Sequence, residues 1–477
     1  MASKTTLNEK NLTALGAEHL AALLIEISTG NAALKRRLRM ELTATADPGQ
    51  VGREVRKRLV TIGRARSFVE RNKIRTLVDD LDAQRRLIVE RVAAVDTAEA
   101  HDLIWQFLGL ARSVYERCDD SNGSVGDVFR TAVEDLGRLA RQAKPDAIAL
   151  ADRILAALLD NGYGQYDYLI GELKASLGEE GLAHLRERLE GLAAKPVERP
   201  PEGQRRVVGW GFSQEGERGA IYEDEVAERA RTSAIRRGLI DVADAQGDVD
   251  AFIGQYDEAT RKAPRIAAEI AVRLMGAGRA NEALEILEAA SHRDAAWPDF
   301  QWEDARIAVL QSLDRNADAQ AARWGCFERS LSTEHLRDYL KHLPDFEDVE
   351  AERQALDHAE GYPSLLQTLS FLIKWPAHER AAQTVIRRAD ELNGDYYSFL
   401  TPAAEALAGR YPLAATLILR AMIDFALEQA RSSRYRHAAR HLLDCAGLAA
   451  AIDDFGDIAP HDAYVGKLKQ THGRKHS

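Results

Sequence analysis

Apolar side chains recur along most of this chain at three- and four-residue spacings, the pattern of helices that each bury one stripe. Leu20, Leu23, Leu24 and Ile27 form such a stripe in residues 7–42, which read as two or three short helices with the stripe buried. The turn Ala46-Asp47-Pro48-Gly49 follows, then two helices over residues 53–95 broken near Gly63. Residues 98–117 predict one strong helix with Leu103, Phe107, Leu110 and Val114 on its apolar face. The polar run 118–124 leads into a helix over 125–142, for which Ser124 is the expected N-cap. Helices over 145–159, 169–177 and 181–192 complete the N-terminal half. The loop 161–168 carries Tyr163, Tyr166 and Tyr168, expected to cover the end of a helical hairpin.

Residues 195–219 (KPVERPPEGQRRVVGWGFSQEGERG) break this pattern with Pro, Gly and charge. They predict either a linker or a short ordered crossing that buries Trp210 and Phe212. Beyond them helices resume around a repeating turn at Gly247-Asp248, Gly278-Arg279, Asp314-Arg315 and Gly409-Arg410. In the last three, an alanine stands five residues after the turn begins: Ala283, Ala319 and Ala414. A side chain this small lets the second helix of a pair lie close on the first. The first two intervals, 31 and 36 residues, bracket the 34-residue tetratricopeptide period. PAHERAAQTVI, residues 376–386, is a degenerate further copy.

The expected fold class is all-α: a helical-repeat solenoid, HEAT-like in its first half and tetratricopeptide-like in its second. The expected domains are 1–194, a linker at 195–219, 220–468 and a flexible basic tail at 469–477. Strand-type alternation is nearly missing, and Ala, Leu, Arg and Glu dominate, residues that lose little rotamer freedom in a helix.

A net charge of −11 over 477 residues argues against nucleic-acid binding across the whole surface and leaves room for a local basic patch. No apolar run approaches the roughly 20 residues of a membrane span, and the first residues lack a signal core. Cys118, Cys326 and Cys445 are odd in number and widely spaced, which fits reduced thiols and a cytoplasmic protein rather than a disulfide framework.

GRANEALEIL, residues 278–287, resembles a tetratricopeptide helix pair. More of the chain resembles a family of bacterial helical proteins, DUF6880, through LTALGAEHLAALL (12–24), DDSNGSVGDVFRTAVEDLGRL (119–139), DNGYGQYDYL (160–169) and the long run 411–442. That family is similar in turn to the helical C-terminal regions of SWIM zinc-finger proteins. The zinc finger needs paired cysteines and a Cys-x-His, which three scattered cysteines do not supply, so neither zinc nor DNA binding carries over.

Three groups of residues carry candidate chemistry. Arg436-His437-Ala438-Ala439-Arg440-His441 fits the arginine–histidine spacing of HEPN ribonucleases. There the arginine stabilises phosphate charge, the histidine moves protons, and a dimer interface brings them together. Here Arg436 and His441 are the candidate catalytic pair, and the bland alternative is an exposed basic helix face. His437, His441 and Cys445 at i, i+4 and i+8 have a metal-ligand rhythm without a convincing fourth ligand, so no metal and no cofactor is expected.

The second group is a basic run that begins at Lys35, Arg36, Arg37 and Arg39. It continues through Arg53, Arg56, Lys57, Arg58, Arg64, Arg66, Arg71, Lys73 and Arg75, with Phe68 its one aromatic. It suits a phosphate backbone or neutralisation within the protein. The third group is Trp297, Trp302, Trp324 and Trp375, possible anchors for a partner. Nucleotide-binding loops and hydrolase elbows are missing. The first reading is therefore a non-catalytic scaffold for a protein or peptide partner, away from membranes, with a homodimer allowed. A HEPN-type ribonuclease and nucleic-acid binding through the basic helices are the alternatives.

Overall fold

The computed structural model describes residues 6–30, 34–35, 38–39, 42, 48–197, 199–212, 218–290 and 297–473. Among them the regular structure is helical, apart from one two-stranded ribbon and a lone bridge between Val69 and Cys118. No described helix is long and apolar enough to cross a membrane. Two compact units divide the chain, Met1–Tyr256 and Asp257–Ser477. The stretch 195–219 and the helix after it therefore belong to the first unit.

In the first unit the main helices are Pro48–Arg64, Ile74–Leu87, Thr97–Leu108, Ser124–Ala143, Ala147–Leu159, Leu169–Ala194 and Glu223–Gln246. Val51, Val55, Leu59 and Ile62 recur every three or four residues and are all buried. They meet Leu81, Leu103, Phe107, Phe129 and Leu136 in one continuous core. The core extends through Ile154, Leu173 and Leu185 to Ile235 and Val242 of the Glu223–Gln246 helix. That helix is tied to its neighbour where Arg231 Nη2 donates to the Leu192 carbonyl at 2.8 Å.

Several local expectations are corrected. The helix Ala17–Ser28 forms, but Leu24 and Ile27 are exposed and Ser28 is its only buried residue. Leu20, Leu23, Leu24, Ile25 and Ile27 make it apolar nearly all round, so the spacing does not select a face. Residues 98–117 break at Gly109 into Thr97–Leu108 and Ala111–Tyr115, because glycine is a poor helix former. The four apolar positions stay buried. Ser124 is the first helical residue, not the cap. The Asp120 carboxylate accepts instead from the N–H groups of Val125 and Gly126, both at 2.9 Å, which also sets a negative charge at the helix's positive end.

Tyr166 is buried beside Trp105, Tyr163 stacks on Tyr115 at 5.1 Å, and Tyr168 is exposed. Two strands, β1 (Val207–Phe212) and β2 (Arg218–Tyr222), pair antiparallel. Trp210 is 63% exposed there rather than buried, under the Arg218 guanidinium at 5.5 Å. The Phe212 side chain lies outside the described residues, as do Arg36, Arg37 and 474–477. Residues 469–472 of the expected tail belong to the last helix, His461–His472.

The second unit is a succession of helices, several of them joined by tight turns. Gly278 (φ 75°) and Asp314 (φ 55°) are left-handed. After each, an N–H reaches the carbonyl five residues back: Arg279 to Leu274 at 2.8 Å, Arg315 to Leu310 at 2.9 Å. This is the Schellman closure, which satisfies carbonyls left over at a helix end. Gly409 departs from it, with φ −72°. There Tyr411 N–H bonds to Leu407 at 2.8 Å and Pro412 opens the next helix. Ala283, Ala319, Ala381 and Ala414, each five residues after a turn begins, are all 0% exposed.

Candidate functional site

Near the C-terminal end of the second unit, four helices follow in order: Tyr397–Ala408, Pro412–Glu428, Tyr435–Ala449 and His461–His472. Polar ties fix the last one. The Tyr464 hydroxyl donates to Asp424 Oδ1 at 2.6 Å. Arg420 Nη1 donates to the Ala459 carbonyl at 2.7 Å, and the Arg420 guanidinium lies 4.4 Å from the centre of the Tyr464 ring. Burial raises the Asp424 carboxyl above its ordinary value, and the Tyr464 bond opposes that shift.

A cleft of about 1120 Å3 opens among the first three of these helices. Leu419, Met422 and Ala426 line it from Pro412–Glu428, following the i, i+3, i+7 rhythm of one helix face. Tyr397, Ser398, Thr401, Pro402 and Glu405 line it from Tyr397–Ala408. Pro402 lies within that helix and has no N–H, so the Ser398 carbonyl lacks its helical donor. From Tyr435–Ala449 come His437, Arg440, His441, Asp444 and Leu448, at one-turn intervals, with Leu443 beside them. Ala438 and Cys445 of the same helix are buried.

Charge in the cleft is mixed. Arg434 is held at one end by Asp395 at 2.8 Å and lies over the Tyr397 ring at 4.7 Å. Arg440 is exposed and has no ion-pair partner among the described residues. His441 is mostly enclosed, 13% exposed in its side chain, with Nδ1 3.8 Å from Asp444 Oδ2. That separation is too long for a hydrogen bond. Burial lowers the His441 pKa, His437 and Arg440 lower it further, and Asp444 opposes them. Burial thus favours the neutral imidazole.

The predicted pair does not converge within one chain. His441 lines the cleft, whereas Arg436 is exposed and outside its lining. Five residues turn a helix through about 140° beyond a full turn, which separates them. Arg440, Arg434 and Glu405 are the charged residues the sequence reading missed here. The 437, 440, 441, 444 spacing was the available signal for Arg440. His437, His441 and Cys445 do not gather either, because the Cys445 sulfur is buried against the Thr416 carbonyl at 4.0 Å. No group of three His, Cys, Asp or Glu suited to a metal ion occurs among the described residues.

The tryptophans serve the fold more than a surface. Trp302 is buried and donates to the Leu287 carbonyl at 3.0 Å. Trp324 packs on Phe327 and Tyr339. Trp375 donates to Glu352 at 2.6 Å and stacks on Phe371. Trp297 alone of the four is exposed, edge-on to Phe300.

The basic run divides in two. Arg56, Lys57 and Arg58 pair with Glu99, Glu54 and Asp80, and Arg53 also has a partner. Arg64, Arg66, Arg71, Lys73 and Arg75 are exposed and form no ion pair with a described residue.

The sequence model of DUF6880, a family of unknown function, matches residues 2–477, and the chain belongs to that family. Among curated proteins none matches the chain.

Proposed function

We propose that this member of DUF6880 is a helical-repeat binding protein that holds an amphipathic helical segment of a partner protein in the cleft over Tyr435–Ala449. The Schellman turns at Gly278 and Asp314 support the repeat reading, as do the fully buried alanines Ala283, Ala319, Ala381 and Ala414. So does the order of packing in the second unit. Pro264–Gly276 touches both Ala280–Ala289 and Phe300–Ser312, and Leu365–Lys374 touches both His378–Arg387 and Tyr397–Ala408. Repeat arrays pack in this way, each element against its near neighbours.

One observation carries the binding reading: the lining. Leu419, Met422, Ala426, Leu443 and Leu448 offer an apolar bed, and exposed Arg440 offers a charge at its rim. The volume exceeds the roughly 300–1,000 Å3 usual for small-molecule sites. Apolar anchors at i, i+3 and i+7 on a guest helix are what such a groove accepts.

The test is selection from a displayed library of amphipathic helices, followed by fluorescence anisotropy of the labelled peptides. Leu443→Asp and Arg440→Glu, both at exposed positions, should each weaken binding at least tenfold while circular dichroism stays unchanged. Peptides that bind both variants as well as the wild type, or a library that yields no binder, would remove the proposal.

A second reading keeps one supporting observation. His441 lines the cleft with its side chain 13% exposed, a setting that favours the neutral imidazole a general base needs. A HEPN-type ribonuclease would require Arg436 to face a second copy. RNA cleavage lost in both Arg436→Ala and His441→Ala would favour it; a purified protein that never cuts RNA removes it.

A further inference from the structure

Five cations of the first unit that form no ion pair with a described residue cluster around the short connection between two helices: Arg64 ends Pro48–Arg64, Arg66, Arg71 and Lys73 lie between, and Arg75 is in the first turn of Ile74–Leu87. Residues 65–70 are irregular, with a bend at Ser67, and a single 3-10 turn, Arg71–Lys73, follows. The irregular part is held at Val69, whose N–H donates to the Arg117 carbonyl at 2.8 Å as part of the Val69–Cys118 bridge. Val69 packs against the core. Its neighbour Phe68 is 61% exposed, and Arg66 is exposed as well.

Electrostatics make this an uncomfortable arrangement for the protein alone. Arg64, Arg66, Arg71, Lys73 and Arg75 are exposed, and Glu70 is the one carboxylate between Arg64 and Arg75. The Ile74–Leu87 helix has no acid in its first turn and no side-chain cap. Arg71, Lys73 and Arg75 therefore crowd the positive end of its dipole. The chain carries a net charge of −11, so acid is plentiful elsewhere, and the neighbouring Arg56, Lys57 and Arg58 do have carboxylate partners. A bound polyanion would relieve both the mutual repulsion and the dipole conflict.

We infer that residues 64–75 are a docking surface for single-stranded nucleic acid. Guanidinium groups meet phosphate oxygens in a matching bidentate geometry. An exposed aromatic ring among them gives a base something to stack on. The other exposed residues of the loop, Ser67, Glu70 and Asn72, include no further apolar side chain, so the loop lacks the broad apolar face that insertion into a lipid surface uses. Contact to phosphates without a set of base-reading side chains predicts little sequence preference. The inference concerns the first unit and stands or falls independently of the cleft.

The experiment is fluorescence anisotropy of a labelled oligouridylate with the full-length protein over a salt series. With five phosphate contacts the log–log salt slope is about −3.5. The triple variant Arg66→Glu, Arg71→Glu, Lys73→Glu should lose at least a hundredfold in affinity and flatten the slope. Phe68→Ala should lose about tenfold and keep the wild-type slope, because stacking releases no counterions. All four residues are exposed, so circular dichroism should match wild type throughout. No saturable binding at about 50 mM salt, or a triple variant that binds like wild type, overturns the inference. So does capture by phosphatidylserine vesicles with the same charge dependence when RNA is not bound.

Discussion

Gly394 brings two backbones closer than any other residue type would allow, and Gly394→Ala is the most direct probe of the cleft's architecture. A Cβ built at this position falls 2.1 Å from the Ala421 carbonyl oxygen and 2.7 Å from both the Ala421 carbonyl carbon and Met422 Cα. That is roughly 1 Å inside ordinary contact distance. All three atoms are backbone in the middle of the Pro412–Glu428 helix, so no side chain can rotate out of the way. Relief requires the 393–396 segment to move off the helix. Overpacking of this kind costs about 1–3 kcal/mol. The shift also drags Asp395 from Arg434, a half-exposed pair that contributes at most about 1 kcal/mol. The expected total is about 1–4 kcal/mol, borne by the second unit.

Cys445 is a built-in reporter, because it is fully buried in that unit and burial pushes its thiol up to about 11. Pulsed maleimide labelling along a urea gradient, located by mass spectrometry, should show Cys445 in the variant reacting at lower urea. Cys118, in the first unit, should react as in wild type. Coincident Cys445 profiles for wild type and Gly394→Ala would refute the close approach on which the cleft geometry rests.

Two further expectations follow the same logic. Gly278 sits at φ 75° with open space around a would-be Cβ, whereas Gly409 sits at φ −72° with equally open space. Gly278→Ala should therefore destabilise by about 1–2 kcal/mol, and Gly409→Ala should be neutral or stabilise by up to about 1 kcal/mol, both read from the Cys445 labelling midpoint. For pH, burial lowers the His101 pKa, helped by Arg153 and opposed by Asp102, and Trp105 Nε1 donates to its Nε2 at 3.3 Å. The unfolded chain then takes up the proton first. The stabilisation is complete above the ordinary value of about 6.5 and is lost as pH falls below it. His101→Gln, which keeps an acceptor for Trp105, should show a shallower fall in urea midpoint on acidification; an equally steep fall would contradict the assignment.

Much of the helical order is legible in the residues, because burial of a one-sided stripe decides it. Leu103, Phe107, Leu110 and Val114 are buried as their spacing demands, even though glycine splits the helix that carries them. Ala283, Ala319 and Ala414, each five residues after a turn begins, are fully buried. What spacing does not carry is contact between distant segments. Asp120 caps a helix that Ser124 seemed placed to cap, because the loop folds back over the helix end. The helix Ala17–Ser28 is apolar on too many sides for periodicity to pick one. The cleft needs the 394–405 segment and residues 434–448 side by side, and nothing local to either announces the other. Arg436 and His441 share a motif in the linear chain and face different ways once it is wound.

The pairing of β1 with β2 has a consequence for handling this molecule. A ribbon of two strands leaves both of its outer rims with unsatisfied amide and carbonyl groups, ready to recruit a third strand from a neighbouring molecule. Val207, Val208 and the indole of Trp210 make that ribbon sticky as well as open. Arg205 pairs with Asp224 and Glu225, and Arg206 with Glu223, so little like charge is left there to hold two such ribbons apart. Self-association through this ribbon should therefore set in first in concentrated stocks, with little dependence on ionic strength.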